Sequence, residues 1–314
     1  MSDSLLARLP LSRHELDRDY LARGRPNLFE ELWAEPATRV LALWHGKALL
    51  ASSAPVSLAL LPVGAVPIAK LRLYLGRSLS VTSPEPVGTP IVAVVLPDTA
   101  AAQLSSDTDS WGDLRTLGGV MSDRDAGLLT EALALANWHD SHRFSPRTGE
   151  RLLPELGGWV RRSADDAVEV FPRTDAAVIV AVTDGEDRIL LGSNALWETT
   201  RYSLLAGFVE PGESLEGAVA REVFEESGIR VVDPVYVGSQ PWPFPASLML
   251  GFRARVDIET EWTQVPDGAE ILDLRWFTRD ELRAAGGDIL LPGHTSIARV
   301  MIEDWVGGPI DDTS

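Results

Sequence analysis

Apolar positions along the chain fall into two regions with different rhythms. Between residues 38 and 96 they come in short runs, Thr38–Leu43, Val56–Leu61, Lys70–Leu75 and Ile91–Leu96, separated by turn residues. Such runs predict strands of a mostly β N-terminal domain. Ala126–His139, rich in Ala and Leu, predicts a helix. Ser141–Phe171 loses periodicity and carries Ser-Pro, Thr-Gly and Gly-Gly, the marks of a connector or small subdomain. An α/β pattern follows: a buried strand at Ala176–Thr183, a turn at Asp184–Arg188, strands at Ile189–Leu191 and Tyr202–Val209, and a helix at Ser214–Ser227. Further strands lie near Val231–Gly238 and Leu248–Val256, and a last helix covers Thr295–Trp305. The predicted division is 1–136, 137–171 and 172–314.

Composition narrows the chemistry. The 314 residues are 45% hydrophobic and 24% charged, a balance that builds ordinary globular cores. Without cysteine there is no disulfide, thiol nucleophile or cysteine zinc site. Lys and Arg total 28 against 46 Asp and Glu, a net charge of −18. That field repels a nucleic-acid backbone, and any phosphate chemistry requires local cations. No stretch reaches the roughly 18 apolar residues of a membrane helix. Met1–Arg8 holds an early acid and no apolar core, so no signal peptide is expected and a cytoplasmic location is.

The segment Gly207–Ile229, GFVEPGESLEGAVAREVFEESGI, carries the chemistry. Ser214 is an N-cap, Glu216 favours the first turn, and Gly228 sits where a helix ends. Glu222, Glu225 and Glu226, spaced i, i+3, i+4, share an arc about 100° wide. Val219, Ala220, Val223 and Phe224 are expected on a different arc facing the sheet. Like charges so close destabilise a helix. A hard divalent cation reverses that cost and bridges to phosphate oxygens. Arg221 is placed to fix a glutamate through a bidentate pair. A bare Glu-x-x-Glu-Glu is more often an exposed acidic helix, but here the whole segment resembles the Nudix box. Gly207, Glu213, Arg221, Glu222, Val223, Glu225, Glu226, Gly228 and Ile229 occupy all its specified positions. The resemblance implies an α/β fold, a Nudix α/β/α sandwich with a mixed sheet. It also implies Mg²⁺ or Mn²⁺ held by Glu222, Glu225, Glu226 and the carbonyl of Ala206.

Ten residues on, Ser239–Ser247 reads SQPWPFPAS. Three prolines stiffen the backbone and hold Trp242 and Phe244 as flat surfaces on which a base can stack. Gln240 and Ser247 add polar handles. Read alone, this is a Pro-rich loop with core aromatics. It resembles the signature of the NADH pyrophosphatase branch of Nudix hydrolases, and the resemblance spans about Asn137 to Asp304. It implies substrate contacts from Gln240, Pro241, Trp242, Pro243, Phe244, Pro245, Ala246 and Ser247. It adds Phe208, the backbone of Ala298, Phe171 from the partner subunit of a homodimer, and more loosely Arg115. Glu270, in the loop before a strand, is implied as a further metal ligand.

That branch usually has a zinc ribbon before the Nudix domain. Here the four ligand positions are Ser145, Thr148, Ser163 and Asp166, a poor tetrahedral zinc site, so no zinc is expected. A ribbon-like hairpin packed on Trp138, Phe144 and Trp159 is predicted in its place. His139 and His142 are expected as solvated helix-end residues rather than substitute ligands. The implied activity is metal-dependent hydrolysis of NADH, and of NAD⁺ less well, to nicotinamide mononucleotide and AMP. A box glutamate, Glu226 or a neighbour, would assist deprotonation of water. The alternatives are removal of an NAD cap from the 5′ end of RNA, or a silent dinucleotide sensor.

Overall fold

The computed structural model describes residues 5–165, 168–198, 200–284 and 289–311. Residues 1–4, part of the segment tested for a signal peptide, and Asp166, one of the four ribbon positions, lie outside the described residues. The chain divides into two units. One comprises residues 13–174 with 242–246, the other the residues up to 12 with 175–241 and 247–314.

In the first unit the expected apolar runs become strands of a mixed sheet. Leu71–Ser78 pairs antiparallel with Pro90–Val95, which runs parallel to Arg39–Trp44. Lys47–Ser53 joins Arg39–Trp44 through a two-residue turn, His45–Gly46, with φ of 48° and 74°. Two positive φ values give the turn whose twist matches the flanking strands. This strand is absent from the sequence reading because its Ala and Ser residues have little β preference. Val40, Ala42, Tyr74, Val92 and Val94 point into one core with Leu28 and Leu32 of the Leu28–Ala34 helix. Their neighbours Leu41, Leu43, Leu73, Leu75 and Ile91 are buried on the other face. The helix Asp123–Ser141 starts three residues before the expected position because Ser122 Oγ accepts a hydrogen bond from the Asp125 N–H at 3.2 Å.

The ribbon-like hairpin is a small antiparallel sheet of Leu152–Glu155, Val160–Ser163 and Glu169–Val170. Ser145 Oγ accepts from the backbone N–H of Arg147 and of Thr148, at 3.2 and 3.1 Å. Ser163 Oγ accepts from the Val168 N–H at 3.0 Å and donates to Asp165 at 2.6 Å. Both hydroxyls are thus spent on closing the turns. Trp138 is buried, and Trp159 donates from its indole N–H to the Tyr74 carbonyl at 2.8 Å. Phe144 departs from the expectation and is 60% exposed. Adjacent residues of an extended chain face opposite ways, and here Ser145 takes the inward side.

In the second unit the period-2 alternation of Asp175–Thr183 separates two cores. Val178, Val180 and Val182 face the helix Leu215–Ser227 with its Ala218, Val219 and Val223. Ile179 and Ala181 face Ile297, Met301 and Trp305 of the helix Ile297–Val306, together with Leu9 from the start of the chain. A six-stranded mixed sheet between helices results, with Asp175–Thr183 parallel to Ser247–Val256 and antiparallel to Leu205–Phe208. Only Leu205–Phe208 of the expected Tyr202–Val209 strand joins that ladder, while Tyr202 donates its N–H to Leu290 instead. The Val231 strand runs on to Trp242. Among the described residues no helix is long and apolar enough to cross a membrane.

Candidate active site

The helix Leu215–Ser227 has the expected ends. Ser214 Oγ accepts from the Gly217 N–H at 3.1 Å, and Gly228 closes the last turn at φ 71°. Its faces differ from the expectation. The buried stripe is Ala218, Val219, Val223, Glu226 and Ser227. Ala220 and Phe224 each follow a buried valine by one residue, a rotation of about 100°, and so leave the sheet. Phe224 lies under the Arg230 guanidinium, 4.8 Å away. The three glutamates therefore occupy three environments: Glu226 buried, Glu222 half-buried, Glu225 exposed.

Arg221 organises the outer part of this surface. Its Nε and one terminal nitrogen form the bidentate pair with Glu213, at 3.1 and 2.6 Å. The same guanidinium donates to the Phe208 carbonyl at 2.9 Å and lies 2.9 Å from Glu222 and 3.0 Å from Glu225. These carboxylates raise the Arg221 pKa further, and hydrogen bonds from Arg221 and the Glu210 N–H lower that of Glu213. The loop preceding the helix is tied in the same way, the Glu210 N–H donating to Glu213 at 2.7 Å.

Gly207 gives the box its close approach. A Cβ at this position would lie 2.1–2.2 Å from the Glu222 carboxyl atoms. The absence of a Cβ at Gly207 thus leaves room for the Glu222 carboxylate against the Leu205–Phe208 strand.

Glu226 lies deepest. It is 5% exposed, and its Oε2 has no hydrogen-bond partner. Burial, with added repulsion from Glu270 and Glu222, pushes its pKa up to about 8, opposed by a hydrogen bond from the Ala206 backbone. Glu222 is raised as well, chiefly by burial. Glu270 stands in the loop before the Ile271–Phe277 strand, as expected, and accepts from the Asn194 amide at 3.3 Å. Asp267, which the sequence reading missed, accepts the N–H groups of Ala269, Glu270 and Ile271 at 3.0, 3.0 and 2.8 Å. It fixes the backbone that presents Glu270. Asp267-Gly268 was the available signal, a turn pair ahead of a strand.

These carboxylates are the type of donor that a hard divalent ion takes. Hard carboxylate oxygens cluster here, one of them buried and unsatisfied, a state that costs free energy until a partner arrives. Among the described residues, no three acidic or imidazole side chains stand at metal-holding distance. Arg221 instead neutralises Glu222 and Glu225. The linkage has a definite sign. A carboxyl with a folded-state pKa of about 8, against an ordinary 4.5, keeps its proton in the folded protein between those values. Stability of the metal-free protein then falls as pH rises through that window. A cation must displace the proton. Calorimetric Mg²⁺ titrations at pH 7 in buffers of different ionisation enthalpy should show proton release that fades by pH 9. Proton-neutral binding at pH 7 would contradict this.

The SQPWPFPAS segment divides between the two units. Gln240, expected as a polar handle, is fully buried, and both ends of its amide are engaged. It donates to the Thr295 carbonyl at 2.9 Å and accepts from the Leu11 N–H at 3.4 Å. These contacts tie it to the Thr295 and Leu11 backbone within its own unit. In the other unit Trp242 and Phe244 meet edge to face at 4.9 Å, and the Arg115 guanidinium lies 4.3 Å from the Phe244 ring. The Asn137 amide donates to the carbonyls of Pro243 and Pro245, at 2.9 and 3.2 Å. Pro241, Ala246 and Ser247 are half-buried. Phe171 and Phe208 expose their rings. Ala298 is buried, and its N–H is engaged with Ser296 Oγ at 3.2 Å. His139 corrects the expectation of a solvated helix end. It is 4% exposed, with Nε2 at 2.8 Å from the Gly158 carbonyl and Nδ1 at 2.6 Å from Arg161.

Residues 172–302 match the NUDIX domain, and residues 37–138 match the NADH pyrophosphatase-like rudimentary NUDIX domain. The NAD-capped RNA hydrolase NudC of Mycobacterium bovis is 51% identical over 203 residues, covering 62% of this chain and 64% of that protein. The NAD-capped RNA hydrolase NudC of Salmonella paratyphi B is 41% identical over 187 residues, covering 59% of this chain and 69% of that protein. A solved NUDIX hydrolase from Nitrosomonas europaea aligns over 53% of this chain and 94% of its own, with 23% identity and a TM-score of 0.40. The chain belongs to the Nudix hydrolase family. The match spans 64% of the length of the mycobacterial relative.

Proposed function

We propose that this chain hydrolyses the pyrophosphate bond of NADH, and of NAD⁺ less well, to nicotinamide mononucleotide and AMP. The observation that supports it most is the unsatisfied, buried Oε2 of Glu226 beside Glu222 and Glu270. Mg²⁺ or Mn²⁺ would be held by Glu222, Glu225, Glu226, Glu270 and the Ala206 carbonyl. Bound there, the cation supplies a lowered pKa for water and neutralises charge on the diphosphate. Glu226 or a neighbouring box glutamate takes the proton from the attacking water. The new P–O bond replaces the bridging P–O bond, and each half leaves as a monophosphate. Arg221 keeps the glutamates in place. The Trp242 and Phe244 rings offer stacking faces for the base, with Phe208, Pro241, Pro243, Pro245, Ala246, Ser247 and the Ala298 backbone lining the substrate. The exposed Phe171 ring supports a role across the interface of a homodimer, and a cytoplasmic location belongs to the same reading.

A second reading is the same bond cut at the 5′ end of NAD-capped RNA. It is favoured by the names of the mycobacterial and Salmonella relatives. The charge of −18 then places recognition on the cap rather than the RNA body. A substrate panel of NADH, NAD⁺, ADP-ribose, diadenosine polyphosphates and NAD-capped RNA, with products weighed by mass spectrometry, separates the readings. Binding of NADH in Mg²⁺ without AMP release would favour a sensor instead. Trp242→Ala should raise KM for NADH about tenfold or more, the value of one stacked base. Its melting temperature should change little, and an unchanged KM would remove the stacking role.

A further inference from the structure

We propose that the cleft under the ribbon-like hairpin is a second anion site, one that takes the phosphate of a mononucleotide. It is formed wholly within residues 13–174, encloses about 460 Å³, and is lined by Lys70, Arg143, Arg151, Arg161 and Phe144 among others. That volume suits a small ligand.

Arg161 carries the inference. It is 6% exposed, yet its guanidinium meets only neutral acceptors, the Leu152 carbonyl at 2.6 Å and His139 Nδ1 at 2.6 Å. Its Nε has no partner. Among the described residues Arg161, Arg151 and Lys70 form no ion pair, and Arg143 and Arg151 add repulsion to Arg161. The protein compensates its other buried arginines: Arg124 meets Glu85 and Asp125, and Arg299 meets Glu303. A buried charge without such compensation is costly, and an anion entering the cleft removes that cost. His139 is held neutral by burial, its pKa lowered to about 4, so it accepts from Arg161 and orients it. The one acid of the lining, Asp140, is turned to Arg143. Four cations therefore face one carboxylate in a chain whose net charge is −18. The exposed Phe144 ring adds a flat apolar face beside them, which selects a phosphate that carries a base.

The test is equilibrium dialysis of full-length protein with AMP in EDTA, where the carboxylate site lacks its cation. The site does not depend on the hydrolytic reading, and its failure leaves that reading intact. One saturable AMP per chain is expected, with inorganic phosphate competing and adenosine binding at least about tenfold more weakly. Arg151→Glu and Lys70→Glu, both at exposed positions, should each weaken AMP about tenfold or more and leave Mg²⁺-dependent hydrolysis unchanged. Arg147→Glu makes the same charge change outside the lining and should have no effect. Equal losses in all three variants, unaltered binding in the two cleft variants, or no saturable AMP would overturn the proposal.

Discussion

Glu226→Gln should lower kcat for dinucleotide hydrolysis by about 10²–10⁴-fold and at the same time raise the melting temperature of the metal-free protein. The two effects have one source. Glu226 is 5% exposed, its Oε2 is unpartnered, and Glu222 and Glu270 repel it. Glutamine keeps the shape and needs no proton to stay neutral, which relieves on the order of 1–3 kcal/mol of the cost of burying this carboxyl at neutral pH. For a chain of this size that is several degrees. The same change would delete the proposed metal ligand and proton acceptor. Steady-state kinetics in saturating Mg²⁺ and a thermal melt in EDTA measure both. Turnover near that of the unaltered protein would leave the carboxylate cluster without its role.

Gly207→Ala should be nearly as damaging to activity, about 10²-fold or more, with little change in stability. The added Cβ would stand 2.1–2.2 Å from the Glu222 carboxyl group. That group ends a flexible side chain, so it swings aside and the strand is spared. The 2.9 Å contact of Glu222 with Arg221 goes with it. Because both changes act on one carboxylate, Gly207→Ala combined with Glu222→Ala should cost no more than the worse of the two alone. Additive losses would mean that the glycine serves something other than Glu222.

What was legible in the chain follows from how local each feature is. The box helix, its Ser214 cap and its Gly228 stop depend on neighbours in sequence, and the structure has them where spacing put them. The two-faced alternation of Asp175–Thr183 is equally local, and it marks out the two cores of the sandwich. Helical spacing alone put Phe224 against the sheet, but the sheet meets the stripe through Val219 and Val223. Gln240 looked available because its motif is polar, and only the distant Leu11 and Thr295 reveal that it is consumed. Asp267 acts through three backbone N–H groups whose convergence exists only once the turn is made. The uncompensated charge of Arg161 is a property of what surrounds it, and no spacing along the chain encodes an absent partner.

The burial of Leu9 among residues of the Ile297–Val306 helix has a consequence for biosynthesis. Arg8 pairs with Asp304 at 3.0 Å, and Ser12 donates to the Ser239 carbonyl at 2.6 Å, so residues 8–12 are held by segments far along the chain. Leu9 must stay uncovered until the Ile297–Val306 helix has been made, nearly three hundred residues later. Residues 13–174 can begin to fold in that interval, whereas the core that holds Leu9 closes only once that helix has emerged.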